Sequence, residues 1–174
     1  INTISPHASE KGRDFSEMSA WRQQEYESKA KQDLSVYAEG NKKGAMMYTL
    51  TWQPPYDWQW MFGFLSARAV AGVETVTDHY YERSFACKGH QGIFRVTPDS
   101  QTPTLTVTLS PGLIPVAQSC LERIGRLFDL DCDPQAIRST LGDLGAARPG
   151  LRLPGAMDAW EQGVRAILGQ LVSV

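Results

Sequence analysis

Thr104-Leu105-Thr106-Val107-Thr108-Leu109 alternates without a break between hydroxyl-bearing and aliphatic side chains. Successive side chains of a strand point to opposite faces, so Leu105, Val107 and Leu109 share one face and the threonines share the other. That period predicts a strand buried on one side, as in an antiparallel sheet with one covered face. Working back along the chain, segments around 73–78, 80–87 and 92–97 also read as strands. Lys88-Gly89 and Pro98-Asp99 supply turns between them. MYTLTWQ (Met47–Gln53) reads as a further strand, broken by Pro54-Pro55.

Two kinds of helix signal interrupt and follow these strands. Asp57 stands where a side chain can cap a helix running to about Val70. After Pro111-Gly112, the residues Leu113, Val116, Ala117, Cys120, Leu121, Ile124, Leu127 and Phe128 recur at three- and four-residue intervals, the period of a helix with one apolar face. A shorter helix is expected from Asp133-Pro134, with proline at the favoured first position. The order implies an α+β domain over 47–144, an antiparallel sheet with helices packed on it.

Both ends read differently from this body. Residues 1–46 hold seven basic and seven acidic residues and are rich in Ser, Lys, Glu and Gln. Asp14 and Glu17 there suit the cap of a helix over roughly 15–38, yet Met18, Trp21, Tyr26, Leu34 and Tyr37 form no clean stripe. The segment is read as a leader, one marginal helix or disordered. Residues 145–156 (GAARPGLRLPGA) read as a Gly/Pro-rich linker. A last helix is expected after Asp158, with Trp160, Val164, Ile167, Leu168 and Leu171 as its apolar stripe. It is still apolar at Val174 and carries no stop signal, so the reading expects a truncated second domain over 157–174.

Composition narrows the function classes. With 42% apolar and 21% charged residues, the 174-residue chain can build a packed core. A net charge of −2 neither announces nor excludes a nucleic-acid partner, since phosphate binding needs a local basic surface. Nine of the ten basic residues in 47–174 are Arg, whose planar fork suits phosphates and stacked bases. Cys87, Cys120 and Cys132 lack metal-ligand spacing and read as reduced, structural thiols in a cytoplasmic protein. His79 and His90 have no acidic or Cys partners at ligand spacing, and no metal is assigned to them.

Four stretches carry a specific resemblance: MYTLTWQPPYDWQWMFGFLSARAV from Met47, VETV, RLFDL, and LGAARPGLRLPGAMDAWEQGVRAILGQLVSV to the end. Together they resemble the DNA-3-methyladenine glycosylase II family, bacterial alkylation-repair enzymes of the helix-hairpin-helix glycosylase superfamily. The resemblance runs from Met47 to Val174, about three quarters of the chain, and leaves residues 1–46 without a counterpart. It implies a TATA-binding-protein-like N-terminal domain followed by the first helix of an all-α helix-hairpin-helix domain. It also implies a monofunctional hydrolase of the N-glycosidic bond of alkylated bases. The catalytic Asp of the family lies beyond residue 174, so the chain as it stands is expected to be inactive.

Residue roles follow from that chemistry. A glycosylase flips its target base out of the duplex, fills the gap, and stacks on the extruded base. The resemblance places the wedge at Leu171, with Gln170 beside it, and one pocket wall at Phe64 and Arg68. Spacing alone points elsewhere: Leu171 extends an apolar stripe, and Phe64 suits packing against the sheet. Trp52, Tyr56, Trp58 and Trp60 read as structural aromatics, and Asp158 and Glu161 as residues of a helix's first turn. The implied partner is double-stranded DNA containing alkylated bases, met by a monomer with no membrane attachment and no metal or organic cofactor. The alternative is a non-catalytic DNA-binding or packing module on the same α+β domain.

Overall fold

The computed structural model describes residues 44–171. The expected helix over 15–38 lies outside them, as does the leader apart from its last three residues.

Five strands form one antiparallel sheet: β1 (Met46–Thr51), β2 (Glu74–Val76), β3 (Tyr81–Cys87), β4 (His90–Pro98) and β5 (Thr104–Leu109). Their spatial order is β1-β5-β4-β3-β2, so β1 adds to the far edge of a meander made by the other four. β5 lies between two partners, with Val107 opposite Tyr48 on β1 and Val96 on β4. Leu105, Val107 and Leu109 are fully buried while the threonines are only half-buried, as the alternation requires. β3 and β4 are joined through Lys88 and Gly89, both at positive φ, the two-residue turn whose twist matches that of paired strands.

The covered face holds one core. Tyr81, Phe94, Val96 and the three aliphatics of β5 meet Met61, Phe62 and Leu65 of helix α1 (Trp58–Ser66), and Cys120, Ile124 and Leu127 of helix α2 (Ala117–Leu127). Asp57 caps α1 by accepting from the Trp60 N–H at 2.8 Å. Helix α3 (Pro134–Leu141) opens in the same way, with Asp133 accepting from the N–H groups of Gln135 and Ala136. A short helix α4 (Asp143–Ala146) follows, and α5 (Ala159–Leu171) closes the described chain.

Four segments differ from their sequence-based expectation. Helical structure after Pro111 begins as a 3-10 turn over Pro111–Val116, and α2 starts only at Ala117. Pro115 has no N–H to give, so an α-helical ladder cannot run through it. Helix α1 ends at Ser66 rather than Val70, because Val70 donates its N–H to the Glu74 carboxylate and the chain turns through Gly72 at positive φ into β2. The strands at 73–78 and 47–53 shorten to 74–76 and 46–51.

The stretch read as a linker is irregular beyond α4 but anchored to the domain at several points. Arg152 is 2% exposed and donates to the carbonyls of Gln53 (2.5 Å) and Pro55 (2.9 Å) and to Cys132 Sγ (2.7 Å). Gly150 accepts from the Asp57 N–H at 2.8 Å, and Gly155 donates to the Leu127 carbonyl at 3.0 Å. A side chain at Gly155 would collide with the Arg126 carbonyl, so the glycine here permits close backbone approach rather than freedom. Met157 then enters the core at 2% exposure. Residues 147–157 therefore form a strap across the ends of α1 and α2.

Candidate nucleic-acid interface

Helix α1 builds one side of the candidate site from residues one turn apart. Trp60 and Phe64 stack with ring centroids 5.4 Å apart and planes 28° from parallel. Arg68 lies in the turn that closes α1, exposed, with its guanidinium carbon 3.9 Å from the Phe64 ring centroid and Nη1 3.3 Å from the Phe64 carbonyl. Phe64 itself is half-buried and packs on the edge of the core. Trp60, Phe64 and Arg68 thus form one column along a helix face.

The other side is α5, and its attachment to the domain is ionic. Arg83 points inward on β3, 6% exposed, and pairs with Glu74 of β2 at 3.4 Å and Glu161 of α5 at 2.5 Å. Arg165, one turn beyond Glu161, pairs with Glu161 at 2.6 Å and Glu74 at 2.8 Å. Two carboxylates and two guanidiniums thus close a ring with no net charge between the sheet edge and the last helix. Tyr81 completes it by donating to Glu74 at 2.7 Å. Burial alone would raise the Glu74 carboxyl. The hydrogen bonds from Arg165, Tyr81 and the Val70 N–H outweigh that and hold it below the usual range.

The apolar stripe of α5 is open by contrast. Trp160 is 81% exposed, Ile167 62% and Leu168 56%. Asp158 caps the helix by accepting from the Glu161 N–H, and Arg123 braces its start by donating to the Met157 carbonyl.

These attachments place the expected site residues. Arg165 donates to the Arg68 carbonyl at 2.8 Å, so the two sides of the site meet directly. Gln170 lies five residues further along α5, about 8 Å at the usual helical rise, and is exposed. Leu171 is the last residue of α5, and its side chain lies outside the described residues.

The aromatic run that leads into α1 is mostly engaged elsewhere. Tyr56 and Trp58 stack at 4.0 Å and 12°, Trp52 meets both edge-on, and the Tyr56 hydroxyl donates to the Phe128 carbonyl at 2.6 Å. Only Trp60 of the four joins the Phe64 column.

A model of the AlkA N-terminal domain matches residues 47–158, spanning the sheet, both packing helices and the strap. The chain belongs to the AlkA N-terminal domain family. It is 64% identical over 128 residues to DNA-3-methyladenine glycosylase 2 of Escherichia coli, an alignment covering 74% of this chain and 45% of that protein. It is 35% identical over 136 residues to a probable bifunctional transcriptional activator/DNA repair enzyme AlkA of Mycobacterium tuberculosis, covering 75% of this chain and 27% of that one. The chain therefore spans less than half the length of these relatives. A 3-methyladenine DNA-glycosylase from Archaeoglobus fulgidus shares the fold, with a TM-score of 0.58 at 15% identity over 72% of this chain and 45% of that one. Among the described residues no helix is long and apolar enough to cross a membrane.

Sequence reasoning missed Glu74, Arg83 and Arg152 of this AlkA N-terminal domain, and Arg165 on the helix that follows it. Two signals were present. Tyr81, Arg83, Phe85 and Cys87 alternate inward on β3, and a charge in that series must be paired. Glu161 and Arg165 also stand four apart, Glu first, the better order for a helical pair. Glu161 sits in the first turn of α5 as expected, but its carboxylate is turned to Arg83 and Arg165.

Proposed function

We infer that this chain is part of a DNA glycosylase that flips alkylated bases out of duplex DNA and hydrolyses their N-glycosidic bond. The observation that carries the reading is the 64% identity over 128 residues to a protein named DNA-3-methyladenine glycosylase 2. In this reading residues 47–144 are the N-terminal α+β domain, 157–174 open a helical glycosylase domain, and 145–156 join the two. The protein works as a monomer in the cytoplasm.

The chain's own contribution is to hold and orient the substrate. A base alkylated on a ring nitrogen carries positive charge, and an electron-rich ring attracts it more than a neutral base. Phe64, backed by Trp60, is a surface of that kind on α1. Gln170 and Leu171 stand at the far end of α5, where an apolar residue can enter the gap left by an extruded base. The ionic ring and the Arg165 contact set how far that end lies from Phe64. Departure of a cationic base neutralises it, so the leaving group needs little assistance. A carboxylate then steadies the positive charge that develops on the deoxyribose as the base leaves.

The test is base release. The natural full-length protein, incubated with methylated duplex DNA, should liberate 3-methyladenine above the spontaneous rate, and residues 1–174 alone should not. Leu171→Ala should slow release and weaken binding to DNA with an abasic-site analogue. Absence of release by the full-length protein overturns the enzyme reading in favour of a DNA-binding module. Unchanged excision and binding by the variant return Leu171 to helix packing.

A further inference from the structure

We propose that Arg68 is an internal occupant of the stacking face of Phe64, which must swing off before an extruded base can settle there. The proposal rests on the pocket reading above and adds to it a side chain that competes with the substrate.

The guanidinium carbon stands 3.9 Å from the Phe64 ring centroid. A stacked base brings its own atoms to about 3.5–4.0 Å from the ring, the space that the guanidinium fills. Base and guanidinium therefore cannot share that face. One turn back along the helix, Trp60 is already stacked against Phe64.

The way Arg68 is held allows the exchange. Its backbone is fixed, with the N–H donated to the Leu65 carbonyl at 3.1 Å and the carbonyl accepting from Arg165 at 2.8 Å. Its side chain is exposed and makes one 3.3 Å hydrogen bond, to the Phe64 carbonyl. Among the described residues it makes no ion pair. The guanidinium can leave for water by rotating its own bonds while both helices stay where they are.

The exchange sets a threshold. Displacing Arg68 forfeits one cation–π contact, about two- to five-fold in affinity at an exposed site. A cationic base regains that contact with Phe64 through its own charge. A neutral base does not, and has to bind on stacking and shape alone.

The experiment titrates the natural full-length protein with 1-methyladenosine, a planar cation at pH 7, and with adenosine. Wild type, Arg68→Ala and Phe64→Leu are compared by calorimetry, and the Arg68 Nε–Hε resonance is followed by NMR in wild type. Arg68→Ala is expected to tighten both nucleosides about two- to five-fold, and Phe64→Leu to weaken 1-methyladenosine. The Hε resonance, displaced upfield by the ring current, should move downfield as 1-methyladenosine is added. If Phe64→Leu loses binding while Arg68→Ala binds equally or more weakly, Phe64 remains a platform and the occupant proposal fails. If Phe64→Leu binds as wild type does, the pocket reading fails and takes the proposal with it.

Discussion

Arg165 donates a hydrogen bond to the carbonyl oxygen of Arg68 at 2.8 Å, joining residues 97 apart in sequence. The same guanidinium pairs with Glu74 and Glu161, so one side chain ties α5 to the sheet edge and to the end of α1. An Arg is suited to this because its planar fork reaches several acceptors at once.

Loosening that tie should free α5 and little else. Arg165→Met keeps the stem and removes the donors, at a cost of roughly 1 kcal/mol for a partly exposed, charge-assisted contact. Amide hydrogen exchange along α5 should then quicken about five-fold, with β4 and β5 unchanged. Equal protection in wild type and variant would mean that the helix is held by something other than this ring.

Acid should act through Glu74. Its carboxyl lies below the ordinary value of 4.5 in the folded chain, because the hydrogen bonds from Arg165, Tyr81 and Val70 outweigh the upward push of burial. A group with a lowered folded pKa contributes stability that is present above its unfolded value and lost as pH falls through the folded one. Urea unfolding at pH 5 and pH 3 should therefore show a larger loss for wild type than for Glu74→Gln. Parallel losses would remove Glu74 from the account of acid sensitivity.

The strap should depend on Arg152. Its buried guanidinium donates to the carbonyls of Gln53 and Pro55 and reaches Cys132 Sγ. Arg152→Met leaves both carbonyls short of a donor and should lower the unfolding free energy by about 2–4 kcal/mol. Arg152→Lys, a compact charge without the fork, should recover less than half of that. A denaturation midpoint unmoved in the methionine variant would contradict a structural strap.

Thiol chemistry offers a check on the core. Burial, and secondarily the neighbouring Cys87, push the Cys120 thiol up to about 11. At pH 8 it should resist a thiol-specific reagent in the folded chain and react once urea unfolds it. Modification of Cys120 without unfolding would place it nearer the surface than α2 allows.

Much of the α+β body is legible from residue patterns because those patterns are local. Thr104–Leu109 declares its buried face, Lys88-Gly89 its hairpin, and Asp57 and Asp133 their helix starts, each through neighbours a few positions away. Pro115 also carried a local signal that the apolar period masks: Leu113 and Val116 keep helical spacing while the backbone takes a tighter turn. Phe64 and Arg68 as pocket residues, and Gln170 and Leu171 at the DNA edge, came from family likeness, since spacing alone favours packing for both Phe64 and Leu171. The column of Trp60, Phe64 and Arg68 was half visible as a four-residue period, whereas the guanidinium lying on the ring was not.

By itself the sequence determined the half-buried meander, the helices that cover it, and the family to which they belong, because alternation, capping and turn chemistry act over a few residues. Only the tertiary structure decided where the charges go. Arg83, Glu74, Glu161 and Arg165 meet from three separate elements, and Arg152 reaches back to the turn before α1. A buried charge must find its counter-charge or its acceptors wherever the fold brings them, and partners from separate elements leave no period in the chain.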